Sequence, residues 1–80
     1  MVKLYMHFRE LAGADSLTLE LPDSATVQDF LRELGERVPK LDKRIKRGEY
    51  ILMKGGRWPK AHETLSDGDV LALFPPVGGG

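Results

Sequence analysis

No cysteine occurs among the 80 residues. That absence removes disulfides, thiolate metal sites and thiol catalysis together, so any sulfur chemistry here must use sulfur brought from elsewhere. Net charge is missing as well: twelve Lys plus Arg balance twelve Asp plus Glu. No overall field then draws the chain to nucleic acid or to an anionic membrane, neither is expected as a partner, and recognition falls to local patches. The apolar runs are far shorter than a bilayer span, and the first residues lack the charged-then-apolar order of a secretory signal, so a cytoplasmic location is the expectation. Histidine is scarce: His7 and His62 are isolated, which suits surface positions better than metal ligands or acid/base groups. Asp67-Gly68-Asp69 lacks the further carboxylates of a calcium loop, and Gly55-Gly56 lacks the lysine and serine of a phosphate loop. No metal site and no bound cofactor are expected.

What the chain has in excess stands at its end. The residues Phe74-Pro75-Pro76-Val77-Gly78-Gly79-Gly80 close the sequence. Glycine is about 7% of average composition, so two glycines in the last two places arise by chance in roughly one chain in two hundred. Each proline fixes its own φ and pushes the residue before it toward extended geometry, which makes Pro75-Pro76 a short stiff spacer. The four residues beyond can reach about 13 to 14 Å. With no Cβ at three successive positions, a partner can close on the backbone from every side. The terminal carboxyl titrates near ~3.3 to 3.7 and at neutral pH is an anion able to attack an activated phosphate. The expected division is a folded domain over residues 1–76 and a flexible glycine tail over 77–80.

Eighty residues make one domain. Val2, Leu4, Met6 and Phe8 alternate with Lys3, Tyr5, His7 and Arg9, the pattern of a half-buried strand. Arg9 to Asp15 reads as a loop. Leu17, Leu19 and Leu21 alternate with Ser16, Thr18 and Glu20 and predict a second strand, hairpinned with the first. Thr26 with Asp29 three residues on forms a capping-box-like start. The helix that follows buries Val27, Phe30, Leu31, Leu34 and Val38 and ends at Pro39. Lys40 to Gly48 reads as a basic connector in which only Leu41 and Ile45 are buried. Tyr50 to Lys54 predicts a strand, Gly55-Gly56 a tight turn, and Arg57-Trp58 a short return cut off by Pro59. Ser66 to Asp69 is a turn leading into Val70 to Phe74, a continuous apolar run expected to be a strand buried on both faces.

Several of these stretches together resemble a known family. Phe8-Arg9-Glu10-Leu11-Ala12-Gly13, Thr26-Val27, the Gly55-Gly56 turn, Leu65-Ser66-Asp67-Gly68-Asp69-Val70 and Phe74-Pro75-Pro76-Val77 before the glycines are similar to the MoaD-type small subunits of molybdopterin synthase. These belong with the ThiS proteins to the ubiquitin-like sulfur carriers. The resemblance implies an α+β, ubiquitin-like β-grasp fold: a mixed sheet with the first and last strands parallel at its centre and one main helix packed on one face. It implies further that Gly80 is adenylated by a ubiquitin-activating-like adenylyltransferase using ATP, then converted to a thiocarboxylate by a sulfur donor. In complex with the synthase large subunit, the thiocarboxylate would pass its sulfur to precursor Z. The chain itself is then a carrier and not an enzyme, with Gly78 and Gly79 as tail. Two departures stand out: a third glycine at Gly78, and Gly55-Gly56 in place of the commoner Asn-Gly turn.

Phe74, Pro75, Pro76, Val77 and Leu11 are the candidate partner-binding residues, since apolar groups in a central patch carry most interface energy. Phe74 suits burial equally well. The face holding Tyr5, His7 and Arg9 is open to solvent or to a partner. The run Lys40, Lys43, Arg44, Lys46 and Arg47 reads as a solvated surface, because no aromatic residues are interleaved with it. The same ending also fits a ubiquitin-like modifier joined through Gly80 to lysines of target proteins, or a sulfur carrier for thiamine or tRNA thiolation.

Overall fold

A computed structural model describes residues 1–76 of the chain. Four strands form one mixed sheet in the order β2-β1-β4-β3, where β1 is Val2–Leu4, β2 Ser16–Leu17, β3 Ile51–Lys54 and β4 Leu71–Phe74. β1 and β4 lie side by side and parallel at the centre, with Val2 opposite Leu71 and Leu4 opposite Leu73, while β2 and β3 flank them antiparallel. This is the β-grasp arrangement that the resemblance implied.

Three helices lie between the strands: α1 His7–Ala12, α2 Val27–Arg37 and α3 Pro39–Lys46. The capping box at the start of α2 is complete. Asp29 N–H donates to Thr26 Oγ1 at 3.2 Å, and Thr26 N–H donates to Asp29 Oδ2 at 2.9 Å. That second bond, ahead of the others, holds the Asp29 carboxyl below its ordinary pKa. The predicted α2 stripe of Val27, Phe30, Leu31, Leu34 and Val38 is buried against Val2, Leu4, Leu52, Leu71 and Leu73 from the sheet. At about 1.5 to 3 kcal/mol per fully buried large apolar side chain, this single interface supplies most of the favourable free energy of so small a domain.

The structure corrects the sequence reading in four places. First, the opening strand ends at Leu4 rather than continuing to Phe8. Met6 takes φ 54, and the chain turns there into α1, which occupies most of the expected loop. Phe8 is fully buried as expected, but from a helix. Gly13 ends that helix at φ 73, a conformation that carries no Cβ penalty for glycine, and its N–H bonds to the Arg9 carbonyl at 2.9 Å. Second, β2 is only two residues long, and Leu19 and Leu21 pack against the core without ladder hydrogen bonds to hold them as strand. Third, the basic connector is the helix α3: Pro39 both closes α2 and opens α3 at a position where its missing N–H costs nothing. Leu41 is fully buried and Ile45 partly so. Fourth, β4 is not buried on both faces. Leu71 and Leu73 are buried, Ala72 and Phe74 are half-buried, and Val70 is 43% exposed.

Gly55 and Gly56, at φ 59 and 81, make the expected two-residue turn, with Lys54 and Arg57 exchanging both backbone hydrogen bonds. The return strand goes no further than that bridge. Asp69 closes its turn twice, its N–H on the Ser66 carbonyl at 3.1 Å and its carboxylate on the Ser66 N–H at 2.7 Å.

Candidate functional site

The Pro75-Pro76-Val77-Gly78-Gly79-Gly80 sequence follows β4, so the site is built around Phe74. Successive side chains of a strand point to opposite faces, and the register fixes which residues share each face. Leu71 and Leu73 point to the helices, with Val2, Leu4 and Leu52 as neighbours. Ala72 and Phe74 therefore point the other way. They share that side with Met53, which pairs with Ala72, and with Ile51, which pairs with Phe74. Lys3, the partner of Ala72, lies there too. Ile51, Met53, Ala72 and Phe74 are all half-buried, because no helix covers this face.

Tyr5 completes the patch. Its N–H donates to the Leu73 carbonyl at 3.2 Å, extending the β1–β4 pairing one step past the strand. The Tyr5 ring then stacks on Phe74 with centroids 4.4 Å apart and planes 12° from parallel. Such stacking adds about 0.5 to 1.5 kcal/mol beyond the area it buries. Tyr5 stays 37% exposed, so the pair is a rigid aromatic plate at the sheet's open surface. Pro75, next in the chain, is buried, and Pro76 is exposed.

The other predicted site residues divide. Leu11 lies on α1, half-buried against the core, and faces the helix layer rather than the aromatic plate. Val77, Gly78, Gly79 and Gly80 lie outside the described residues. His7 sits edge-on to Phe8, with centroids 5.1 Å apart. Among the described residues, no three His, Asp or Glu side chains gather as they would around a metal ion.

Two features escaped the sequence reading. Trp58 is 73% exposed and stands with Tyr50, Ile51, Pro59 and Ala61 around a groove of about 290 Å³ between β3 and the start of α2. Burial pushes the Tyr50 phenol above its ordinary pKa. The available signal was Pro59: it ends the return strand one residue after Trp58, leaving the indole without a cross-strand neighbour to cover it.

The second is an ion cluster that ties the Gly55-Gly56 hairpin to the loop before β4. Lys54 Nζ lies 3.0 Å from Glu63 and 3.5 Å from Asp69. Arg57 grips both oxygens of Glu63 from outside. Those bonds from Arg57, then Lys54, hold the Glu63 carboxyl down to about 2. Asp69 is held low chiefly by the Ser66 N–H, and Lys54 is raised chiefly by Glu63. This cluster lies beside the start of β4, at the end of the strand away from Phe74.

The model of the ThiS family matches residues 2–80. A molybdopterin synthase sulfur carrier subunit from Chlamydomonas reinhardtii is 38% identical over 72 residues, covering 90% of this chain and 87% of that protein. Small archaeal modifier protein 1 of Haloferax volcanii is 34% identical, with 98% of this chain and 97% of that protein covered. Among solved structures, a putative molybdopterin converting factor subunit 1 from Pyrococcus furiosus superposes with a TM-score of 0.85 at 35% identity, covering 95% of this chain and 94% of that one.

Proposed function

This chain belongs to the ThiS family, and we propose that it is the sulfur-carrying small subunit of a molybdopterin synthase, with Gly80 as the point of attachment. The observation that carries this reading is the parallel β1–β4 pairing. It sets Phe74 and Tyr5 as an aromatic plate immediately before Pro75-Pro76, and the plate's closeness in sequence to Gly78-Gly79-Gly80 supports its use as a docking surface.

The chemistry needs little from the body itself. The Gly80 carboxylate attacks the α-phosphorus of ATP on an adenylyltransferase and expels pyrophosphate, giving a mixed anhydride. A sulfur nucleophile from a donor then displaces AMP and leaves a thiocarboxylate. On the synthase large subunit that sulfur passes to precursor Z, and the carboxylate returns. Side-chain-free links suit each step because both partners must enclose the acyl carbon. The body docks and orients, and the partners catalyse.

Intact-mass measurement of the chain incubated with adenylyltransferase, ATP and sulfur donor tests the reading. One oxygen should be exchanged for one sulfur, and deletion of Gly79-Gly80 should abolish the exchange without moving the melting midpoint. An unchanged mass for the intact chain would reject it.

The likeness to an archaeal modifier protein favours a second reading, in which Gly80 is joined to lysines of other proteins. Glycine remnants on target lysines in cells that make the chain would support that role, and their absence would count against it.

A further inference from the structure

The net charge of zero conceals a polarity. Between Arg37 and Arg47 stand six cations (Arg37, Lys40, Lys43, Arg44, Lys46 and Arg47) against a single acid, Asp42. Lys46 closes on Asp42 at 2.9 Å, and Arg47 reaches Glu49 at 4.0 Å. Among the described residues, Arg37, Lys40, Lys43 and Arg44 form no ion pair, and the Arg44 guanidinium lies 6.0 Å over the Phe8 ring. At the other end of the molecule the balance is reversed. Lys54 and Arg57 are consumed by Glu63 and Asp69, while Asp23 and Asp67, on the rim of a hollow of about 440 Å³, have no basic partner among the described residues.

The cationic end is the end from which the tail leaves. Glu49 N–H donates to the Arg44 carbonyl at 2.9 Å, so the last turn of α3 runs straight into the approach to β3. Ile51, the first residue of β3, is the strand partner of Phe74. β1 and β4 both run from the acidic end toward this one.

We propose that α3 and the corner joining it to α2 are a steering pole, which brings the tail end first onto a partner protein whose docking surface carries an acidic rim. The inference rests on the carrier reading and names the charge of the partner's surface. A chain without net charge gains nothing from a monopole field, so its orientation during approach depends on such an asymmetry. Screening at physiological salt confines the effect to about 8 Å, the final stage of encounter. A nucleic acid is the poorer fit. The aromatic rings nearest the tail root are stacked on each other rather than presented singly as platforms for bases.

The test measures association and dissociation rates of the full chain with the purified adenylyltransferase and large subunit over a series of salt concentrations. The double variant Lys40→Glu, Lys43→Glu should associate at least about tenfold more slowly at low salt, with a flatter salt dependence, an unchanged dissociation rate and an unchanged melting midpoint. The variant Asp23→Lys, Asp67→Lys at the opposite end should stay within about twofold of the parent, the range expected when distant surface charges are altered. Equal rates for parent and Lys40→Glu, Lys43→Glu would overturn the proposal while sulfur exchange by the parent left the carrier reading standing. Absence of any complex with either partner would sink both. Binding of a single-stranded RNA more tightly than either protein, lost in the same variant, would replace the acidic protein rim with phosphate.

Discussion

The two ends of the parallel β1–β4 pair both carry many charged groups, in opposite balance, and use them differently. At the starting end Lys54, Arg57, Glu63 and Asp69 are engaged with one another, and the Met1 ammonium donates to the Asp69 carbonyl at 3.0 Å. At the finishing end Lys40 and Lys43 of α3 are exposed and the aromatic plate is half open. The starting end uses most of its cations to hold loops to the sheet, and the finishing end leaves most of its own unpaired. The difference teaches where a partner-facing surface can be sought in so small a domain: at the groups that folding leaves unused.

Substitutions should divide along the same line, and the largest effect belongs to the finishing end. Phe74→Ala removes half of the aromatic plate. Affinity for the synthase large subunit should fall about tenfold or more by calorimetry, as for a hot-spot aromatic, against a folding cost of about 1 to 3 kcal/mol from the lost stacking and the half-buried ring area. A loss of stability with no loss of affinity would erase the proposed distinction. Next in size is Thr26→Ala at the starting end, which deletes the α2 cap. Chemical denaturation should show a loss of about 1 kcal/mol, with partner affinity unchanged.

The smallest effect at neutral pH is expected from Glu63→Gln, because this ion cluster touches water and exposed pairs contribute little. Its signature is a pH dependence. The Glu63 carboxyl is held down to about 2 in the folded chain against an ordinary 4.5, so the stability it adds is present above 4.5 and is lost as pH falls from there toward 2. Melting midpoints followed through that window should drop less steeply for the variant than for the parent. Parallel curves would show that the cluster holds nothing.

Much of this plan was legible in the sequence, and the rest was hidden for physical reasons. The α2 stripe and its Thr26–Asp29 start were readable because eleven residues give the helical period room to declare itself. α1 has six residues, too few for a period, and its one buried side chain, Phe8, fits an alternating strand equally well. Gly13 after Ala12 was the remaining cue. In α3, Pro39 read as a stop is also a start, and Asp42 with Lys46 four residues on was the helical spacing that a basic connector would not need. For the site, the closing Phe74-Pro75-Pro76 was visible, whereas the Tyr5 partner of Phe74 was not. Their contact depends on the register of two strands at opposite ends of the chain, which no local pattern encodes.

That long-range pairing also governs when the molecule becomes usable. The bond from Met1 to Asp69 spans 68 positions, and the central ladder beside it joins the first and last strands of the described residues. Contacts so distant in sequence are the slow ones to form, and a nascent chain still lacking β4 has no sheet centre at all. Closure of β4 on β1 is therefore the step on which the sheet centre and the Tyr5–Phe74 stack both wait.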